Sequence, residues 1–289
     1  MAATAEQVRR AQSSLSAAAV ADLRKVWPKL MTMRPDKVAE ALALVLEEFS
    51  AKYGTASAAL AAEWFEERRD LAGATGSFRA QVAALPSEER LKILARWGVG
   101  PLFGANPDPT TALSLVSGGL SRTVLMMGRD TIHESIAADP AGPRYARHAS
   151  ANACAFCAML ASRGAVYTSE ANAGGVTGEN LGGTDYRKAR RLDGGVVTAE
   201  RRAQILAGSR KRTIDQGGRK GRVTKRPLGE KYHDACRCTP VAVWPGQEYE
   251  PAPYVEKWRD AYLNAPARPG ERIDLSQTLA SMRAELGTN

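Results

Sequence analysis

Two tight thiol pairs, Cys154-Ala-Phe-Cys157 and Cys236-Arg-Cys238, stand on well-separated segments, with His233 three positions before the second pair. Thiolate sulfur and imidazole nitrogen are the ligands zinc prefers, and two such pairs can close a tetrahedral site. Cys154 and Cys157 are the firmer half, because Cys-x-x-Cys readily chelates one ion. The second half has two solutions: Cys236 with Cys238, giving four sulfurs, or His233 with one of them. The single-residue spacer of Cys-Arg-Cys is tighter than usual ligand spacing, and the four-sulfur set is preferred with His233 as the alternate. Four protein ligands would make the zinc structural rather than hydrolytic. Without metal, the same residues are reduced or disulfide-linked cysteines with a packing role.

Catalytic alternatives draw on the same residues. A cysteine protease needs one thiolate poised by a histidine and an orienting group. Cys154 or Cys157 with His148 or His233 could be drawn so, but the thiols here are paired. Ser162 and Ser169 lack any Gly-x-Ser-x-Gly context that would make either a nucleophile for His233. Glu248-Tyr-Glu250 reads as a solvated acidic turn. No catalytic residue is assigned.

The elements that must position the cysteines follow from periodicity. Residues 1–139 read as a helical bundle. Val20, Leu23, Trp27 and Leu30 recur at helical spacing, with Pro28 expected to kink or end that helix. Pro35-Asp36 opens a stripe of Val38, Leu42, Val45 and Phe49, which Gly54 is expected to close. Leu60, Trp64 and Leu71 continue the pattern, and Glu63, Glu66, Glu67, Arg68 and Arg69 mark the exposed side. Ser87-Glu-Glu starts a short helix through Leu91, Leu94 and Trp97. Asp108-Pro109 starts a long one through Leu113, Val116, Leu120, Val124 and Met127. These stripes need only burial to explain them. His133 reads as an ordinary residue near the helix end.

Residues 140–245 change character. Pro140, Gly142 and Pro143 break the helix, and Ala149 to Ala161 is helix-compatible, placing Cys154 and Cys157 on one helical face. Ala165-Val-Tyr167 and Thr239-Pro-Val-Ala-Val-Trp244 are strand candidates. A metal would tie the helix to the second strand across a long insertion that cannot fold alone. Residues 246–289 are a Pro-rich arm enclosing an amphipathic piece with Tyr254, Trp258 and Tyr262. A final helix after Asp274 presents Leu279, Met282 and Leu286. The fold class expected is α+β, mostly α.

The formal charge of +9 is concentrated between Arg187 and Arg226, where 14 Lys or Arg face three acids. Within the insertion at 171–228, Gly-Gly pairs and scarce apolar residues preclude a core. The segment is a solvated loop or a strip for phosphates, in which Arg210, Lys211, Arg212, Arg219, Lys220 and Arg222 bind nucleic acid without sequence preference. Few aromatics interleave, which argues against base stacking. No signal-peptide core and no charge-free span of membrane length occur, so a soluble protein made in a cytoplasm is expected, with no membrane partner. There thiols stay reduced, which favours metal over disulfides.

The run from Cys154-Ala-Phe-Cys157 through Ser162-Arg-Gly-Ala-Val-Tyr167, followed by Tyr232-His233-Asp-Ala-Cys236-Arg-Cys238-Thr, resembles the C-terminal domain of the Mu F-like minor head proteins of tailed bacteriophages. It is most similar to the branch from phages of actinobacteria and covers about residues 140–245. Family domains often end in His-Pro-Asn-Cys-Arg-Cys; Asp234-Ala235 replaces Pro-Asn here and leaves His233, Cys236 and Cys238 in place. The resemblance implies a minor capsid component made in the host cytoplasm and residing in the virion head, active in head morphogenesis at the portal vertex. Implied partners are the portal protein, the major capsid protein or a scaffold, with packaged DNA facing the basic strip. Members are also often labelled capsid maturation proteases, one alternative function. A stand-alone, non-specific nucleic-acid-binding protein is the other.

Overall fold

Three of the helices begin where the sequence supplies side-chain oxygens for orphan backbone donors. Helix α1 (Ala5–Leu30) opens with a capping box in which Thr4 and Gln7 satisfy each other's backbone N–H. Pro35 is the first residue of α2 (Pro35–Phe49). Ser87 caps α4 (Glu88–Gly98) through the Arg90 N–H. Asp108 caps α5 (Pro109–Ala138) by accepting from the Thr110 and Thr111 N–H groups, both at 3.0 Å. The computed structural model describes residues 3–103, 105–165, 236–265 and 275–288.

Among the described residues the fold is mostly α with one two-stranded sheet, the expected class. Strand β1 (Arg144–His148) pairs antiparallel with β2 (Thr239–Val243), Arg144 opposite Val243 and His148 opposite Thr239. The expected strand at 239–244 is therefore present. Its partner β1 is not among the strand candidates of the sequence, because it carries Arg144, Arg147 and His148 in five residues; Arg147 and His148 are buried. Tyr167 and the rest of the other strand candidate beyond Ala165 lie outside the described residues, as does the whole insertion at 171–228.

The described chain divides into two units. The larger comprises residues 3–150, Ala165 and 236–250. Its core joins Leu23, Trp27, Leu42, Leu46, Leu91, Leu120 and Val124 from α1, α2, α4 and α5, and β2 packs on α5 and α1. The smaller comprises residues 151–164 and the described residues from 251 onward. In it α6 (Ala155–Ala161), α7 (Val255–Asn264) and α8 (Leu275–Leu286) pack on one another, burying Leu160, Trp258 and Met282.

Several local expectations change. Helix α1 continues through Pro28 and ends two residues later. Gly54 closes nothing: a π-helical turn, Ser50–Gly54, leads from α2 directly into α3 (Thr55–Leu71). Gly54 instead lets Met127 pack close, since a Cβ there would meet the Met127 thioether and the side chain would have to shift. The buried face of α3 is Ala58, Ala61, Trp64, Phe65 and Arg69, not the line through Leu71, which is exposed. Trp97 is likewise exposed, because Ala95 and Gly98 turn to the core in its place. Arg69, assigned to the solvent side, is buried against Asp139 at 3.0 Å and donates to the carbonyls of Thr75 and Gly76. Asp139 also accepts from the Trp244 indole N–H at 2.8 Å. A buried guanidinium persists only with such partners, and here it holds the loop after α3 to the end of α5.

Candidate metal centre

The Cys-Arg-Cys motif enters β2 as non-helical, non-strand chain, so its carbonyls lack ladder partners and must find donors elsewhere. One side chain supplies them. Arg129, almost fully buried on α5, donates from Nη2 to the Cys236 carbonyl at 2.7 Å and from Nε to the Cys238 carbonyl at 2.9 Å. A planar guanidinium suits two carbonyls two residues apart, which a lysine could not span with the same fixed fork. The intervening Arg237 turns the other way. Its Nη1 donates to Ser16 Oγ on α1 at 3.2 Å and to Ser121 Oγ on α5 at 3.1 Å, and those hydroxyls lie 2.6 Å apart. Thr239, next in line, donates to Gln12 Oε1 at 3.4 Å.

This explains an oddity of α1. Its buried face runs Val8, Gln12, Ser16, Ala19, Leu23, and the polar pair at 12 and 16 sits where the Arg237 and Thr239 side chains arrive. The motif is therefore seated by hydrogen bonds from two helices, with both thiol-bearing residues buried. The pKa of Arg237 is lowered, first by burial and then by the charge of Arg129, with Cys236 acting in the opposite sense. Arg237 within the motif and Arg129 on α5 thus bring two guanidinium groups to one short stretch of chain.

Cys154 and Cys157 sit at the other thiol-bearing segment. Cys154 is the N-cap of α6, in extended conformation, and Cys157 lies in the first turn. The helix therefore begins at Ala155, later than the Ala-rich composition from Ala149 suggested, because residues 151–152 form a turn and Cys154 is extended chain. Cys157 is buried and Cys154 half-buried. All four cysteines are thiols rather than disulfides.

The ligand-bearing sulfurs of Cys157, Cys236 and Cys238 lie within 4.8 Å of one another. Tetrahedral zinc with Zn–S bonds of about 2.3 Å sets sulfurs roughly 3.8 Å apart, so donor type and spacing both fit a soft divalent ion. The three are close enough to bind a metal. Cys154 is not one of this group, and His233 lies outside the described residues. So do the expected nucleic-acid-binding residues Arg210, Lys211, Arg212, Arg219, Lys220 and Arg222.

His148 Nε2 is 3.0 Å from Glu6 Oε2. Glu6 also receives Arg9 and Arg10 at 2.7 Å, and Arg9 above all holds its carboxyl well below the usual range. Ser162 donates to the Met159 carbonyl at 2.9 Å as part of the α6 C-terminus, and Ser169 lies outside the described residues. Glu248 and Glu250 are exposed, as expected of an acidic turn. His133 is buried and stacks on Tyr145, ring centroids 5.4 Å apart.

A family model matches residues 1–186 and 210–265, a span that includes all four cysteines and His233. The chain belongs to the VG15 protein family. VG15 membership supports a phage-encoded protein, which is the coarse part of the expectation drawn from the cysteine motifs. The match also takes in Arg129 and Arg237, so the thiols and the arginines that seat them fall within one family region. No curated protein and no solved structure matches the chain significantly. Among the described residues no helix is long and apolar enough to cross a membrane.

Sequence reasoning found the thiols and missed Arg129, Ser16 and Ser121. The available signal was polar residues at core positions of helical stripes, Gln12 and Ser16 on α1 and Arg129 at helical spacing from Leu125 and Met126 on α5. Buried polar groups at such positions imply partners, without naming them.

Proposed function

We propose that this chain is a structural minor capsid protein of a tailed phage, of Mu F-like type, whose cysteine-rich motif holds one structural zinc. The observation that carries it is the group of three buried thiols in a phage-family chain, beside the Cys154/Cys157 and His233-x-x-Cys236-Arg-Cys238 motifs. Cys157, Cys236 and Cys238 would hold the ion, with Cys154 or His233 as fourth ligand. Zinc would supply a crosslink and charge neutralisation rather than a reactive centre, since a site closed by four protein ligands has no position for water. Arg129 orients two of the ligands by fixing their backbone, the role outer groups commonly play at metal sites.

In this reading the protein is made in the host cytoplasm and resides in the virion head near the portal. Its partners are the portal protein and the major capsid protein or scaffold. The basic residues Arg210, Lys211, Arg212, Arg219, Lys220 and Arg222 meet packaged DNA through phosphates; this part rests on sequence charge alone.

Biochemical and genetic measurements test the reading. Elemental analysis of chain purified reduced and without chelator should give about one zinc per chain, lost together with thermal stability on chelation. Purified virions should contain the chain, with immunogold label on the head, and deletion of its gene should reduce DNA-filled heads. Absence of metal refutes the zinc centre. Normal infectious heads without the chain refute the head role, and cleavage of the major capsid protein by the purified chain, abolished by one nucleophile substitution, replaces it with the protease reading.

A further inference from the structure

The sulfurs of Cys157, Cys236 and Cys238 lie within 4.8 Å of one another, and the three residues are 2%, 2% and 3% exposed. Spacing that suits a metal also brings each pair within reach of direct sulfur–sulfur chemistry. A disulfide is about 2.05 Å long, and rotation about χ1 in one or both residues closes the remaining distance. Because the group is nearly sealed, the first thiol an oxidised sulfur meets is another member of the group rather than one from solvent. Cys154 is half-buried and is not one of the three.

The pairs are not equivalent. Joining Cys236 to Cys238 would close a ring over a single residue, in backbone that is already fixed. Arg129 holds both carbonyls, at 2.7 and 2.9 Å, and Arg237 between them is fastened to Ser16 and Ser121. Bending that stretch would break those bonds. Cys157 instead comes from α6, so its sulfur can approach either of the other two by side-chain rotation while the Cys-Arg-Cys backbone stays in place.

We propose that the three thiols form an oxidative crosslinking site, at which a hydroperoxide joins Cys157 to Cys236 or Cys238. One thiol gives two electrons to hydrogen peroxide and becomes a sulfenic acid, releasing a water. A second thiol attacks that sulfur; the S–S bond forms, and the hydroxyl leaves with the thiol's proton as a second water. The net change is two thiols and one hydrogen peroxide to one disulfide and two waters. The remaining thiol, within 4.8 Å of both sulfurs in the reduced chain, can attack the disulfide, so the link exchanges between Cys236 and Cys238 while Cys157 stays bonded. A metal held there must leave, because its ligands are thiolates. The disulfide then keeps α6 joined to the start of β2 in the metal's place. That replacement of one crosslink by another rests on the proposed zinc site, whereas formation of the disulfide rests on the sulfur spacing alone.

The experiment uses the 289-residue chain as purified under reducing conditions, freed of reductant and exposed to hydrogen peroxide with a chromogenic chelator present to report released zinc. Remaining thiols are blocked with N-ethylmaleimide, and unreduced tryptic peptides are read by mass spectrometry. Trypsin cuts after Arg237, which places Cys236 and Cys238 on separate peptides. The expected product links Cys157 to one or other of them, with Cys154 alkylated and two of the four thiols consumed. Cys157→Ser should lose the link. Cys236→Ser and Cys238→Ser should each keep it through the thiol that remains, with circular dichroism confirming that each variant is folded. In chelator, the oxidised wild type should melt about 5 °C or more above the reduced chain, as closing so long a loop implies.

A main product joining Cys236 to Cys238, or Cys154 to Cys157, overturns the proposal. So does oxidation to sulfinic acid without a disulfide, or loss of the link in folded Cys236→Ser and Cys238→Ser alike. A chain that forms the link but releases no zinc refutes the metal reading and supports this one, and a zinc-loaded chain that never forms the link does the reverse.

Discussion

Arg129→Met should weaken the larger unit and loosen the metal centre together, although the substitution touches no cysteine. The guanidinium donates to the Cys236 and Cys238 carbonyls at 2.7 and 2.9 Å from a nearly sealed position. Hydrogen bonds from a charged group contribute about 1.5–3 kcal/mol each, so the pair is worth about 3–6 kcal/mol. Methionine fills similar space without a donor, leaving two buried carbonyls unsatisfied, while the removed cost of burying the guanidinium returns part of the loss. The net expectation is a destabilisation of about 2–4 kcal/mol. Arg129→Lys keeps the charge but not the fork, and should lose about half as much. Urea unfolding followed by circular dichroism, with chelator present, isolates this backbone effect from metal binding. Zinc competition against a chromophoric chelator should then show affinity lowered roughly 10–100-fold, as for other groups that orient metal ligands. If Arg129→Met unfolds within about 0.5 kcal/mol of wild type, or Lys fully replaces Arg, the guanidinium is not what seats the motif.

Three further outcomes follow from the packing. Among the described residues the hydrogen-bond partners of the Asp139 carboxylate are all donors, namely Arg69 Nε, Trp244 Nε1 and the Ala141 N–H; Asp139→Asn turns an amide NH₂ toward these donors and should cost about 3–5 kcal/mol, read from the thermal midpoint. Gly128→Ala should destabilise by about 1–3 kcal/mol despite the better helix former, because the new Cβ would fall 2.2 Å from Gln12 Nε2 and 3.0 Å from the Ser57 carbonyl. Glu6, held mainly by Arg9, has a depressed folded-state pKa, so its stabilisation is complete above its ordinary value near 4.5 and is lost as pH falls below it. Denaturation midpoints at pH 7 and pH 3.5 should therefore differ less in Glu6→Gln than in wild type, and equal differences would show that Glu6 does not contribute.

Local pattern along the chain was enough for the helices of the bundle, for the starts of α2, α4 and α5, and for the buried stripes of α1, α2 and α5. Caps at Ser87 and Asp108 act on backbone within the next three residues, and stripes such as Val116, Leu120 and Val124 report burial through a local period. The strand at Thr239–Val243 and the thiol motifs were legible for the same reason, since spacing along the chain carried their chemistry. What required the tertiary structure was every feature whose partner is distant in sequence. Arg129 reads as a surface charge until Cys236 and Cys238 arrive from more than a hundred residues away. Arg69 looks solvent-facing by helical phase, and only Asp139 explains its burial. Gly54 resembles a helix stop until Met127 is found against it. The strand at Arg144–His148 is masked by its own charges until β2 pairs with it. Local pattern reveals which positions are buried, whereas the identity of a buried polar group's partner is set by three-dimensional packing, because hydrogen bonds and ion pairs recognise proximity in space rather than spacing along the chain.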